Sequence, residues 1–475
     1  MTNEQIRLSS TPKGSARGTP LIHYGPLWDD RLEALEATEA GKPPVAVLVC
    51  HGMGQQVRYE TISSVADAIR AAAIAQGGVA QPVTVRLCQT EEDFLARAEL
   101  RWQDTKQQTH EVHVYEAYWA PLTEGRVTYW DTIKFLLSAA WNGLRYSRPF
   151  SRGTFKRWMF EEPKALSISP WSWFGIVSIL IFLAAQVAII GYVSLSLAQQ
   201  YKVVFAQPIP SVSVNGLLLT WFKWLIPLLP GIRTVLQPSD FVSWFAAATY
   251  LLLWLALIAE AFAARYFLVE YVGDVAAYIS PYRDSKFDEL RQKVRLVGLE
   301  VGKVIYGFGS QQVTVPKYER LVIVGHSLGS VLAYDTLNAL INLDNVCGPA
   351  AARDVIRRTR ALITFGSPLD KTAFIFRTQA ASDQAWIREQ LAASMQPLIV
   401  DYDQFRPDTF SWVNIWSPMD IISGALDYYD DPSVPPCDPR HVQNKRDPSA
   451  SFPILAHVQY WGNACLRETL YKYVV

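Results

Sequence analysis

Residues 319–343 read ERLVIVGHSLGSVLAYDTLNALINL, an apolar β-branched run that ends in Gly325-His326-Ser327-Leu328-Gly329 and continues into a helical apolar pattern. A serine hydroxyl is a weak nucleophile. To attack a carbonyl it needs a base beside it, backbone donors facing the developing oxyanion, and a seat on a sharp strand-to-helix turn. Gly325 and Gly329 remove the side chains that would collide across such a turn. Leu321-Val322-Ile323-Val324 predict a buried parallel strand in front of Ser327, and Val331, Leu332, Leu337, Leu340 and Ile341 recur at helical spacing behind it. Ser327 is therefore the expected nucleophile.

A second strand, Val45 to Cys50, runs into His51-Gly52-Met53-Gly54. A turn of this kind after an early strand supplies one oxyanion donor, and the residue after the nucleophile supplies the other. The expected donors are thus the N–H groups of Met53 and Leu328. His51, Gly52 and Gly54 shape the first turn, as Gly325, His326 and Gly329 shape the second. In enzymes built on such an elbow the acid and then the histidine follow the serine. Of the seven histidines, His23, His51, His110 and His113 precede Ser327 and His326 lies inside the motif, which leaves His441 and His457. His441 falls in a polar stretch rich in Pro and Asp that reads as a loop. His457 follows the apolar run Phe452 to Ala456, expected to pack on the sheet and hold the imidazole, so His457 is the favoured base. For the acid, Asp420 follows the strand candidate Trp412 to Trp416, and Asp370 follows the strand candidate Ala361 to Phe365 one strand earlier. Asp420 is preferred, with Asp370 as the competitor.

The segments GHSLGSVLAYD, FGSPLD, NIWSPMDIIS and AHVQYW together resemble the α/β-hydrolase superfamily on its lipase-like side, and more loosely the DDHD-type intracellular phospholipases. The resemblance covers roughly residues 44–90 and 318–465. It implies an α/β-hydrolase fold, a mostly parallel sheet covered by helices, and cleavage of an acyl ester, with no metal or organic cofactor. The acidic run Asp427-Tyr428-Tyr429-Asp430-Asp431 lacks the histidine that the DDHD-type motif carries near the C-terminus.

The two halves of this site are separated by greasy sequence. Ala165 to Tyr201 is 37 residues without a charge and Phe241 to Ala259 is another 19, enough to cross a bilayer core of about 30 Å. Spans are expected at 171–198 and 241–264. Residues 213–230 are apolar as well, but Lys223, Pro227 and Pro230 interrupt them. Because the HGMG and GHSLG strands must join one sheet, the number of crossings between them must be even, so 213–230 is read as re-entrant or interfacial. The resulting plan is a flexible tail over 1–40, half of a hydrolase domain over 41–165, a membrane hairpin over 166–268 and the other half over 269–475.

Basic residues set the orientation. Arg145, Arg148, Arg152, Lys156, Arg157 and Lys164 precede the first span, and Arg265, Arg283, Lys286, Arg291, Lys293 and Arg295 follow the second. Only Lys202, Lys223 and Arg233 lie between. A cytoplasmic catalytic domain is expected. Five scattered cysteines without framework spacing suit a reducing compartment. Equal numbers of basic and acidic residues, 44 of each, remove any electrostatic case for nucleic acid. Residues 111–119 alternate as a strand, and the i, i+3 spacing of His110 and His113 on an alternating strand puts them on opposite faces, which argues against a metal there. Further expectations are helices over 59–74 and 287–305 and a strand over 82–87.

The function expected is a membrane-anchored serine hydrolase acting on a lipid ester, in contact with the bilayer. The alternatives are a thioesterase or acyltransferase on the same site, or a non-catalytic interaction protein with a hydrolase fold. Oligomeric state, head group and chain preference are not legible.

Overall fold

The computed structural model describes residues 43–53, 57–89, 94–123, 285–308, 318–348, 353–373 and most of 394–475, with shorter pieces at 21–23, 126–138, 155–156, 163–164 and scattered positions from 177 to 278. The chain divides into two units, 1–173 with 269–475 and, separately, 174–268. The expected spans at 171–198 and 241–264 and the segment 213–230 lie, but for a few positions, outside the described residues. Among the described residues no helix is long and apolar enough to cross a membrane.

The first unit is an α/β structure on a ten-stranded sheet. In chain order the strands are β1 (Leu21–His23), β2 (Val45–Cys50), β3 (Val79–Ala80), β4 (Thr84–Gln89), β5 (Phe94–Gln103), β6 (Thr109–Ala117), β7 (Phe155–Lys156) and β8 (Pro163–Lys164). After the second unit come β9 (Arg320–His326), β10 (Thr359–Phe365), β11 (Ser411–Trp416) and β12 (Gln443–Arg446). The sheet order is β1-β4-β5-β6-β2-β9-β10-β11-β12, with β3 beside β5 and β7 pairing β8 apart from it. Within this sheet only β5 runs against its neighbours. The run β6-β2-β9-β10-β11-β12 is wholly parallel. Val47 of β2 sits opposite Val322 of β9, so the two halves of the chain meet at the middle of the sheet.

Among the described residues four helices longer than two turns cover this sheet: α1 (Glu60–Ala75), α2 (Ser285–Tyr306), α3 (Leu328–Cys347) and α4 (Ala464–Val474). The period-two alternation of β2 assigns its faces. Val45, Val47 and Val49 pack with α1 and α4, whereas Ala46, Leu48 and Cys50 pack with α2 and α3. Both faces are therefore buried, which is why β2 and the central residues of β9 and β10, 321–324 and 361–363, are continuously apolar rather than alternating.

Six strands have no counterpart among the expected ones: β1, which falls within the expected tail over 1–40, the short β3, β7 and β8, the charged β5 and the polar β12. In β5 three alternate residues, Arg97, Glu99 and Arg101, are charged, yet Arg97 and Glu99 are buried because they pair with each other across 2.6 Å. The polar β12 is the edge strand among the described residues, a position where Lys445 and Arg446 are tolerated. Apolar patterning reveals neither kind.

Candidate active site

Ser327 stands between β9 and α3 with φ 53° and ψ −130°, a left-handed conformation that a non-glycine residue adopts only under tight surrounding constraint. Its N–H donates to the Phe365 carbonyl at 3.0 Å. A Cβ on Gly325 would strike the backbone of Ser330, and one on Gly329 would strike the Cys50 and His51 carbonyls. The start of α3 is thus pressed against the end of β2. A Cβ on Gly52 would lie 2.9 Å from Cβ of Ser327, so the His51-Gly52-Met53 turn closes over the nucleophile. Gly54 lies outside the described residues. Ser330 Oγ donates to the Ser327 carbonyl at 2.6 Å and shares a hydrogen bond with Ser367 Oγ at 2.7 Å, pinning the elbow from below.

His457 Nε2 lies 2.8 Å from Ser327 Oγ, and His457 Nδ1 lies 3.0 Å from Asp420 Oδ2. The structure brings these three residues together in one hydrogen-bonded line. The support expected for His457 is different, however. Of the run Phe452 to Ala456, Phe452 and Leu455 are 64% and 53% exposed, Ala456 is buried in the core, and residues 453 and 454 lie outside the described residues. His457 instead sits in a single helical turn, Ala456–Gln459, anchored by buried Ala456 and Tyr460. His326 Nε2 donates to the His457 carbonyl at 3.1 Å. Gly366, at φ 58°, leaves room for the imidazole: a Cβ there would come within 3.2 Å of His457 Cε1.

Asp420 is buried with its side chain fully closed to solvent. Burial disfavours its charge, but hydrogen bonds and attraction from His457 and the Ile422 N–H outweigh this and hold the carboxyl well below the usual carboxylate range. Tyr460 Oη donates to the same Oδ2 at 3.0 Å. Tyr460 has no expected role in the sequence; its spacing of three residues from His457 on a helical turn is the signal that could have found it. Asp370, the competing acid, hydrogen-bonds Lys371 Nζ at 3.3 Å, and burial raises its pKa. His441 lies in the turn before β12, where its N–H donates to the Asp438 carbonyl at 3.1 Å.

The oxyanion turn has its own geometry. The Trp119 N–H donates to His51 Nε2 at 3.0 Å, so the proton of the neutral ring resides on Nδ1, which donates to the Gly52 carbonyl at 2.8 Å. Burial lowers the His51 pKa to about 4 against the opposing pull of the Gly52 carbonyl. Holding the Gly52 carbonyl on one edge of a planar trans peptide directs the Met53 N–H to the opposite edge. Leu328 opens α3, where N–H groups lack an intrahelical acceptor.

Glu99, Glu111 and His113 bring three potential metal-ligating atoms within 4.8 Å of one another. Those oxygens are already engaged. Arg86 and Arg97 donate to Glu99 at 2.8 Å, and Arg101 donates to Glu111 at 2.9 Å. His113 completes the cluster through Glu111 and Tyr318, both at 2.7 Å. With three guanidinium groups against two carboxylates, the donor set repels a cation. His110 belongs to the other face, stacked on Trp102 at 5.3 Å.

The site can deprotonate a hydroxyl, stabilise the imidazolium so formed, and present N–H groups to an oxyanion. No family model matches this chain, and neither a curated protein nor a solved structure matches it.

Proposed function

We propose that this chain is a serine hydrolase with an α/β-hydrolase fold that cleaves an acyl ester of a lipid through a Ser327-His457-Asp420 triad. The observation that carries the reading is the unbroken line from Ser327 Oγ through His457 to Asp420, with separations of 2.8 and 3.0 Å. Ser327 Oγ bonds to the ester carbonyl carbon while its proton passes to His457 Nε2. Asp420 steadies the imidazolium, and the Met53 and Leu328 N–H groups receive the oxyanion. Collapse breaks the acyl–oxygen bond, and His457 returns the proton to the departing alkoxide. Water then attacks the acyl-enzyme with His457 again as base, releasing the acid and restoring Ser327.

The lipid substrate is supported by the two uncharged runs at 165–201 and 241–259, read as a two-span anchor. A lipid confined to the same bilayer meets the site at high effective concentration. The basic residues flanking those runs favour a cytoplasmic catalytic unit.

Labelling with a fluorophosphonate tests the reading. The wild-type chain is expected to label and Ser327→Ala to remain blank, with ester turnover reduced by at least about 10³-fold. Equal labelling of both, or none of either, overturns it. A panel of p-nitrophenyl esters, acyl-CoA and phospholipids then fixes the leaving group, and thioester preference or acyl transfer to an added alcohol would redefine the reaction.

A further inference from the structure

A groove of about 470 Å³ runs between α1 and the segment that follows His457, within the size of ordinary small-molecule sites. Its apolar lining comes from Ala68, Ala71 and Ile74 of α1 and from Trp461. Ile74 is 52% exposed. Arg70 and Arg467 line the same groove from opposite helices. Arg70 Nε is buried, with no hydrogen-bond partner among the described residues. Two guanidinium groups face one carboxylate, Asp67, so the lining carries net positive charge.

A guanidinium presents a planar fork suited to carboxylate or phosphate oxygens. An apolar floor beside such forks fits a molecule that is greasy along its length and anionic at one end. We propose that this groove binds a single-chain anionic amphiphile, its head group between Arg70 and Arg467 and its chain along Trp461, Ala71 and Ile74. None of the triad residues lines the groove, so binding there is separate from the acyl-transfer chemistry. The groove nonetheless shares a wall with it: the Trp461 ring meets His326 at 5.1 Å, and His326 holds the His457 carbonyl.

Calorimetric titration of the full chain in zwitterionic nanodiscs, with empty discs subtracted, tests the proposal. The probes are octyl phosphate, octanoate, octyltrimethylammonium and inorganic phosphate. Saturable one-site binding is expected for octyl phosphate, octanoate or both, and which one binds distinguishes a phosphate from a carboxylate head group. Arg70→Gln and Arg467→Gln, on different helices, are each expected to weaken that binding about tenfold, the scale of losing one charge-assisted hydrogen bond. Ser327→Ala should bind as the wild type does, which keeps this result independent of the hydrolase reading. Equal binding of the cationic probe, equally tight binding of inorganic phosphate, or unchanged affinity in both arginine variants would overturn it.

Discussion

Two donors, His457 Nδ1 and Tyr460 Oη, converge on a single oxygen of Asp420, each at 3.0 Å. A carboxylate engaged in this way favours its ionised form, so Asp420 contributes stability that is complete above its unfolded value of about 3.9 and is lost as pH falls through its lower folded pKa. Removing one donor raises the folded pKa. Tyr460→Phe is therefore expected to cost about 1.5–3 kcal/mol near neutral pH, with the deficit shrinking as the solution is acidified below about pH 4. Urea unfolding of both chains at a series of pH values measures it. A deficit that stays constant with pH would mean that the phenol merely fills space. Turnover should fall with KM little changed, because Tyr460 steadies the acid rather than touching an ester.

At the scale of elements, the packing of α3 on the end of β2 couples the nucleophile to the oxyanion turn. Gly329 is the contact point, and no flexible side chain is there to yield, only the Cys50 and His51 carbonyls. Gly329→Ala is expected to destabilise by about 1–3 kcal/mol and to lower kcat by spreading Ser327 from Met53. Gly302→Ala in α2 is the contrast. Its Cβ would meet the Leu340 side chain at 2.7 Å, the far end of a side chain rather than backbone, and a helical alanine gains about 1 kcal/mol over glycine. Denaturant midpoints that fall equally in both variants would refute this distinction.

These elements also show what the chain makes legible. The apolar runs at 45–50, 321–324 and 361–365 announce themselves because the middle of a strand covered on both faces is greasy on both sides. The helices at 60–75 and 285–306 declare their spacing within two residues of the expected 59–74 and 287–305. Ser327, Asp420 and His457 could be nominated because a turn motif and a chain order constrain them. What patterning misses is whatever long-range pairing makes tolerable. Arg97 and Glu99 look solvent-facing until each supplies the other's partner. Asp430, in the acidic run, turns out to meet buried Arg406 at 3.1 Å and the Val442 N–H at 2.8 Å, fastening the approach to β12. The exposure of Phe452 and Leu455 was equally hidden, since hydrophobicity alone does not say whether a surface is covered.

For the whole molecule the governing fact is that β2 and β9, from opposite sides of residues 174–268 in sequence, are hydrogen-bonded neighbours in one parallel ladder. A bilayer cannot pass through such a ladder, because no water is available there to satisfy a severed edge. If 165–201 and 241–259 enter the membrane, residues before and after them must share one side. Two single-cysteine chains test this: one retaining only the exposed Cys347, and one with Lys106→Cys in the exposed turn between β5 and β6 as its sole thiol. With a membrane-impermeant maleimide, both positions are expected to stay unlabelled in intact cells and to label together once the membrane is permeabilised. Labelling of one but not the other in intact cells would break the shared-side argument. Labelling of both in intact cells would reverse the orientation inferred from the flanking basic residues, and recovery of the chain in the salt-washed soluble fraction would remove the anchor.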